Sequence, residues 1–336
     1  MREVAARVLL ALALLAALPA ARAEDPLPEG WERVRTPDLV VDRLPRDEAL
    51  AARAVEIFSQ GRAAVEARLG ARLGEPPPRL VLAATDRSFD ERVRELTGSS
   101  PPDWALAIAV PRRRVVVLRE RGINTGESFL DPTLRHEIAH LVLGAVAERS
   151  KHAIPRWLDE GLAQYAEGAV LSRDQELELG AAARFGTLES FGSIERDFPP
   201  HALAAQRAYE MSLGFVLWLD RKPGGVRALV VMMDQGSSAD AAIRSLAAEP
   251  TGEAQAEWAL ELADRSSIWE SLLRSAQFWW GIVSLLAVAA ILRFVVVSRR
   301  LKRQMERAER TLAQPPMPDD APERERGEAA PQDPGP

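Results

Sequence analysis

Apolar residues recur at helical spacing over most of this chain and at strand spacing over only a short part of it. Between Arg46 and Gly70, the residues Ala51, Val55, Phe58, Ala63, Val65 and Leu69 fall on one helical stripe, and Gly70 supplies a stop. The segment Arg79 to Thr85 follows Pro76-Pro77-Pro78 and is short and continuously apolar, as a buried strand would be. Ala105 to Leu118 reads as two strands around a turn near Pro111 to Arg113. From Pro132 onward the spacing is helical. Strands first and helices afterwards predict an α+β fold.

Two apolar segments stand outside this pattern. Residues 1–23 place Arg2 and Arg7 ahead of an apolar run from Val8 to Leu18, then Pro19 and the small residues Ala21 and Ala23. This is the pattern of a signal peptide cleaved after Ala23. Phe278 to Val297 carries a single charge, Arg293, near its far end, and is long enough to cross a bilayer as a helix of about 1.5 Å rise per residue. Trp279 and Trp280 mark one interface. Arg299, Arg300, Lys302 and Arg303 follow the other, which predicts an exported ectodomain, periplasmic or extracellular, and a cytoplasmic C-terminus. The expected organisation is an ectodomain at 24–276, with an α/β lobe at 24–130 and a helical lobe at 131–276. A transmembrane helix at 278–297 and a basic juxtamembrane segment and tail at 298–336 follow. The tail is too rich in proline and charge to form a core, and it leaves room for a cytoplasmic partner.

With 336 residues, 47% of them hydrophobic, there is ample material for a packed core. The 43 basic and 49 acidic side chains are mixed along the chain, without the basic block that nucleic-acid binding requires. Cysteine is absent, which excludes disulfides, thiolate metal sites and cysteine nucleophiles. Any metal must therefore be held by histidine and carboxylate, and the chain has only four histidines.

Two of the four occur in His136-Glu137-Ile138-Ala139-His140. Four residues apart on a helix, His136 and His140 lie on one face and can aim both imidazoles at one point, half of a tetrahedral zinc site. Glu137 sits about 100° round the helix, placed to reach a metal-activated water as general base. Asp131 and Pro132 suit the N-cap and first position of this helix, and Gly144 falls near its expected end. Leu134, Ile138, Leu141, Val142 and Ala145 give it a buried side. A second helical pattern, Arg156 to Gly168, buries Trp157, Leu158, Leu162 and Tyr165, and Gly161 would let another helix come close. Its neighbouring carboxylates Asp159 and Glu160 are both available as a third ligand, as is His152 between the two helices.

The pair "HEIAH" and "WLDEGLAQY" resembles the gluzincin metallopeptidases, especially their peptidase MA-like group. The resemblance implies a thermolysin-like fold that hydrolyses peptide bonds, one zinc ion held by His136, His140 and Glu160, Glu137 as base, and a peptide or protein substrate. The segment from Ala208, "AYEMSLGFV", is similar to a following helix of that family and implies Tyr209 as donor to the reaction's oxyanion, with His201 as the alternative and Tyr165 left to packing. Gln164, one turn after Glu160, is a candidate to hydrogen-bond a ligating imidazole. The strand pair at Ala105 to Leu118 is similar in placement to the strand that holds extended substrate in thermolysin-like folds. The Gly-Ala-Met-Glu-Asn signature of aminopeptidase-N relatives is missing. The likeness covers Trp31 to Trp258. Two other functions fit the same residues: a catalytically silent binding or assembly module, and a zinc amidase acting on a non-protein amide.

Overall fold

The computed structural model describes residues 26–103, 105–119, 127–196, 202–266, 269 and 276–312. The leader read at residues 1–23, His201 and the tail beyond residue 312 lie outside the described residues. The chain divides into two compact units, residues 1–275 and 276–336.

The first unit opens with a mixed sheet. β1 (Glu32–Arg35) and β2 (Val40–Arg43) form an antiparallel pair, and α1 (Glu48–Leu69) carries the chain to β3 (Arg79–Ala83), parallel to β2. α2 (Asp86–Thr97) then leads to the antiparallel hairpin of β4 (Ala107–Val110) and β5 (Val115–Arg119). β5 inserts beside β3, giving the order β1-β2-β3-β5-β4 and leaving β4 at an edge. The turn at Pro111–Arg113 is where the sequence places it, with Arg114 in a left-handed conformation at φ 53°. Alternation explains the apolar strands. Leu80, Leu82, Val116 and Leu118 join the main core with α1, whereas Val81, Ala83, Val115 and Val117 pack with Phe89, Val93 and Leu96 of α2. β1 has no comparable apolar signal, and β2 sends only Val41 into the main core; on its other face the buried Asp42 is held by two hydrogen bonds from Arg33, at 2.7 and 2.9 Å.

Helices follow: α3 (Glu127–Ser150), α4 (Arg156–Glu167), α5 (Arg173–Arg184), α6 (Phe191–Arg196), α7 (Ala202–Asp220), α8 (Gly225–Asp234), α9 (Ala239–Ala247) and α10 (Thr251–Arg265). One hydrophobic cluster runs from Leu39 on the sheet to Trp258 on α10. Within it Trp157 of α4 stacks on Phe191 of α6 at 4.0 Å between ring centroids.

Several details differ from the sequence pattern. The buried stripe of α1 passes through Ala54, Ile57 and Gly61; Ala63 is exposed and Val55 half-buried. The reason is α3, whose Arg135 and Ile138 side chains cross directly over Gly61. α3 begins at Glu127 rather than after Asp131, and Pro132 lies inside it, where its missing N–H removes a single bond near the helix start. Asp131 accepts a hydrogen bond from the Arg135 side chain at 2.8 Å instead of capping. Gly144 is mid-helix, not terminal: a Cβ there would overlap Pro111, so glycine lets α3 press on the β4–β5 turn. Gly161 acts as expected. A Cβ on it would stand 2.6 Å from the Ser212 carbonyl oxygen, so α4 and α7 meet backbone to backbone.

Among the described residues the second unit is one helix, α11 (Ala276–Leu312). Its portion Phe278–Arg307 is long and apolar enough to cross a membrane, with a mean hydropathy of 2.4 and no buried residue in its apolar window. The helix does not stop at Val297 as the hydropathy suggests; neither glycine nor proline intervenes before Leu312.

Candidate metal centre

α3 and α4 pack side by side, and their polar residues converge on a cavity of about 290 Å³ beneath β4. His136 and His140 project from successive turns, with ring centroids 4.7 Å apart and planes at 82°. Their Nε2 atoms lie 3.1 Å apart, and Oε2 of Glu160 stands 3.5 and 3.6 Å from them. A tetrahedral ion with bonds of about 2.0–2.1 Å separates its ligands by roughly 3.3–3.4 Å, so the three atoms fit three corners around one ion. Among the described residues this is the cluster that could hold a metal.

The opposite sides of the rings are also occupied. Nδ1 of His140 meets Oδ2 of Asp159 at 2.8 Å, and Nδ1 of His136 meets Oε2 of Glu167 at 3.0 Å. These carboxylates place the proton on Nδ1 and leave the Nε2 lone pairs facing the common point, the tautomer that ligation needs. Asp159 thus lies on the far side of His140, away from the candidate ligand atoms. His152 is exposed in the loop after α3 and does not join the cluster. Gln164 misses both imidazoles; its amide donates to the main-chain oxygens of Glu160 and Tyr209, at 3.2 and 3.1 Å.

The charges are strongly coupled. Burial alone would depress the His136 imidazole, but Glu160 and Glu167 hold it up at about 9. His140 is likewise raised well above its ordinary value, because Asp159 and Glu160 outweigh its burial. Glu160 is held far below the usual carboxylate range despite its burial, by hydrogen bonds from both histidines. Without a metal, the cluster keeps protons where a cation would sit.

Glu137 is buried beside the histidines and lines the same cavity. Burial pushes its carboxyl up, partly offset by His140, His136 and the Ala109 N–H, which donates to it from β4. Tyr209, from α7, lines the cavity as well; burial and then Glu160 push its phenol up to about 12, so it remains a donor. Tyr165 is buried away from the centre with the Arg68 guanidinium over its ring at 4.6 Å, a packing role. Two groups escape the sequence reading. Arg156 approaches Glu160 at 3.8 Å and hydrogen-bonds Tyr209, and Glu167 supports His136. Glu167 lies two helical turns beyond Glu160 on the same face, a spacing that could have found it.

β4 forms the roof. The Arg119 N–H donates to the Leu106 carbonyl, so the strand's alternation turns Ile108 towards β5 and the peptide groups of Ala107 and Ala109 away from it, into the cleft.

The chain matches none of the curated proteins with which it was compared. The profile of the Peptidase MA superfamily matches residues 91–262, from within α2 to α10, beginning later than the expected likeness at Trp31. That span holds both site helices, the roof strand and Tyr209. The chain belongs to the Peptidase MA superfamily.

Proposed function

We propose that the chain is a zinc-dependent metallopeptidase of gluzincin type, an exported domain anchored in a bilayer by α11. The observation that carries this reading is the convergence of two Nε2 atoms and one Oε2 atom at tetrahedral spacing, with Glu137 on the same cavity. His136, His140 and Glu160 would hold the ion, while Asp159 and Glu167 orient the imidazoles. Zinc bound there supplies Lewis-acid activation of a water and of the scissile carbonyl. Glu137 takes the proton as water attacks and hands it to the leaving amine nitrogen; its raised pKa suits both duties. Tyr209, kept protonated, and Arg156 donate hydrogen bonds towards the carbonyl oxygen as it gains charge. The outward peptide group of Ala107 and the outward carbonyl of Ala109 take up the substrate backbone as an added strand, the Ala109 N–H being given to Glu137. The basic residues that follow the apolar stretch of α11 favour a cytoplasmic C-terminus.

The test is metal content and turnover of the full chain in detergent. Wild type should hold about one zinc per chain and Glu160→Ala much less. Glu137→Gln should keep its zinc and lose roughly 10²–10⁴-fold in turnover. A folded wild type unable to take up zinc overturns the reading, and full activity in Glu137→Gln removes the assigned base.

A further inference from the structure

Among the described residues the cleft stops at neither side of the metal centre. The central cavity shares Ala109, Pro111, His140 and Asp159 with a cavity of about 700 Å³ at the Val110 end of β4. It shares Ala107, His136, Glu137 and Tyr209 with another of about 590 Å³ at the Ala107 end. The three cavities adjoin across these shared walls and follow β4 from end to end, with the ligands midway. Both arms are mainly apolar in surface, and each carries polar side chains on its walls: Arg112, Glu148 and Lys151, all exposed, in the first, and Gln175, Gln206 and Glu210 in the second.

From this we infer that the site cuts bonds in the interior of a polypeptide, as an endopeptidase whose substrate lies extended through both arms. The inference rests on the peptidase reading above. An enzyme that trims chain ends must hold a terminal ammonium or carboxylate within one or two residues of the reacting bond, at about 3.3–3.4 Å per residue, by a charge reserved for it. The charges lining the centre are already engaged: Arg156 with Glu160 and Tyr209, Asp159 with His140, and Glu137 with the Ala109 N–H. In the second arm Glu167 is engaged with His136, and the buried Glu210 accepts from the amides of Gln175 and Gln206, both at 2.9 Å. The charges of the first arm, Arg112, Glu148 and Lys151, are exposed and do not line the central cavity, so the room lies in the arms and the charge at the centre is spoken for. In the reaction the interior C–N bond breaks, the water oxygen stays on the carbonyl carbon, and the proton ends on the new amine.

The experiment uses the full, zinc-loaded chain in detergent and one peptide sequence long enough to fill both arms, supplied with free ends and with both ends blocked by acetyl and amide groups. Products are mapped by mass spectrometry. The blocked peptide should be cut at an interior bond with kcat/KM within about threefold of the free one, and shortening it on either side should lower kcat/KM about tenfold or more. Ala147→Trp in the first arm and Thr133→Trp in the second should each lower kcat/KM about tenfold, only for peptides that extend into the obstructed arm. Release of one or two residues from free-ended peptide alone, with the blocked peptide untouched, overturns the inference and leaves the peptidase reading standing. Trp variants without effect on long peptides also overturn it. Failure to cut either peptide overturns the peptidase reading, and this inference with it.

Discussion

The α3–α4 pair presents two faces of opposite character. Towards the core, Leu134, Ile138, Leu141, Val142, Leu158 and Leu162 are all but fully buried. Towards the cleft, the same two helices present His136, His140, Asp159, Glu160 and Glu167, joined by charge-assisted contacts of 2.8 to 3.6 Å. The first face is held by apolar area, which is indifferent to protonation; the second is held by partners whose charge depends on pH and on any ion present. Stability and binding chemistry thus sit back to back on one pair of helices, and each face can be disturbed separately.

The largest disturbance is a cut in the core face. Ile138→Ala, which removes a fully buried side chain next to the ligand-bearing turn, should cost about 2–5 kcal/mol and lower Tm by roughly 2–4 °C for each. Zinc affinity measured well below that Tm should hold. A parallel collapse of affinity in chelator competition would show that the two faces are not separable. Next come the carboxylates behind the ligands. Asp159→Asn and Glu167→Gln should each weaken zinc binding about 10–100-fold. Equal affinity in the variants and wild type would mean that these groups do not orient the rings.

The cleft face also responds to pH in the metal-free protein. His136 is held at about 9 in the folded chain against an ordinary value of 6.5, so the folded state binds the extra proton. Its stabilisation is complete below about pH 6.5 and disappears as pH rises through about 9. Glu160 acts in the opposite sense: its stabilisation is present above its ordinary value of 4.5 and fades as pH falls towards its depressed one. Tm of the metal-free chain should therefore fall on both sides of neutrality, by about 2–4 °C for each kcal/mol lost. Zinc uptake near neutral pH should release protons, measurable as a buffer-dependent calorimetric heat. A Tm independent of pH between 6.5 and 9 would contradict the charge coupling at His136.

Local spacing carried much of this architecture. The i, i+4 histidines need only the geometry of a helix, and the hairpin at β4–β5 announces itself by apolar runs around Pro111. What the pattern hid were features decided by distant neighbours. Gly144 looks like a helix stop because glycine often is one; only the approach of Pro111 explains it in mid-helix. Pro132 suits a first helical position, yet α3 extends ahead of it. Gln164 has the right spacing to support an imidazole, but two carbonyl oxygens lie nearer its amide, and Asp159 and Glu167 meet the rings instead. The strands β1 and β2 were invisible because each has only four residues, and although Val41 of β2 enters the core, the opposite face buries an ion pair at Asp42 rather than an apolar residue.

The contact between Gly144 and Pro111 has a mechanical meaning for the cleft. α3 is pinned to the roof hairpin twice, there by the Pro111 ring lying against Gly144 and again where the Ala109 N–H meets Glu137. Roof and ligand helix therefore make a single rigid jaw, and the gape between them is set before anything enters it. A bulky residue passing through has no hinge to push on along that wall, so accommodation falls to the side lined by α4 and α7.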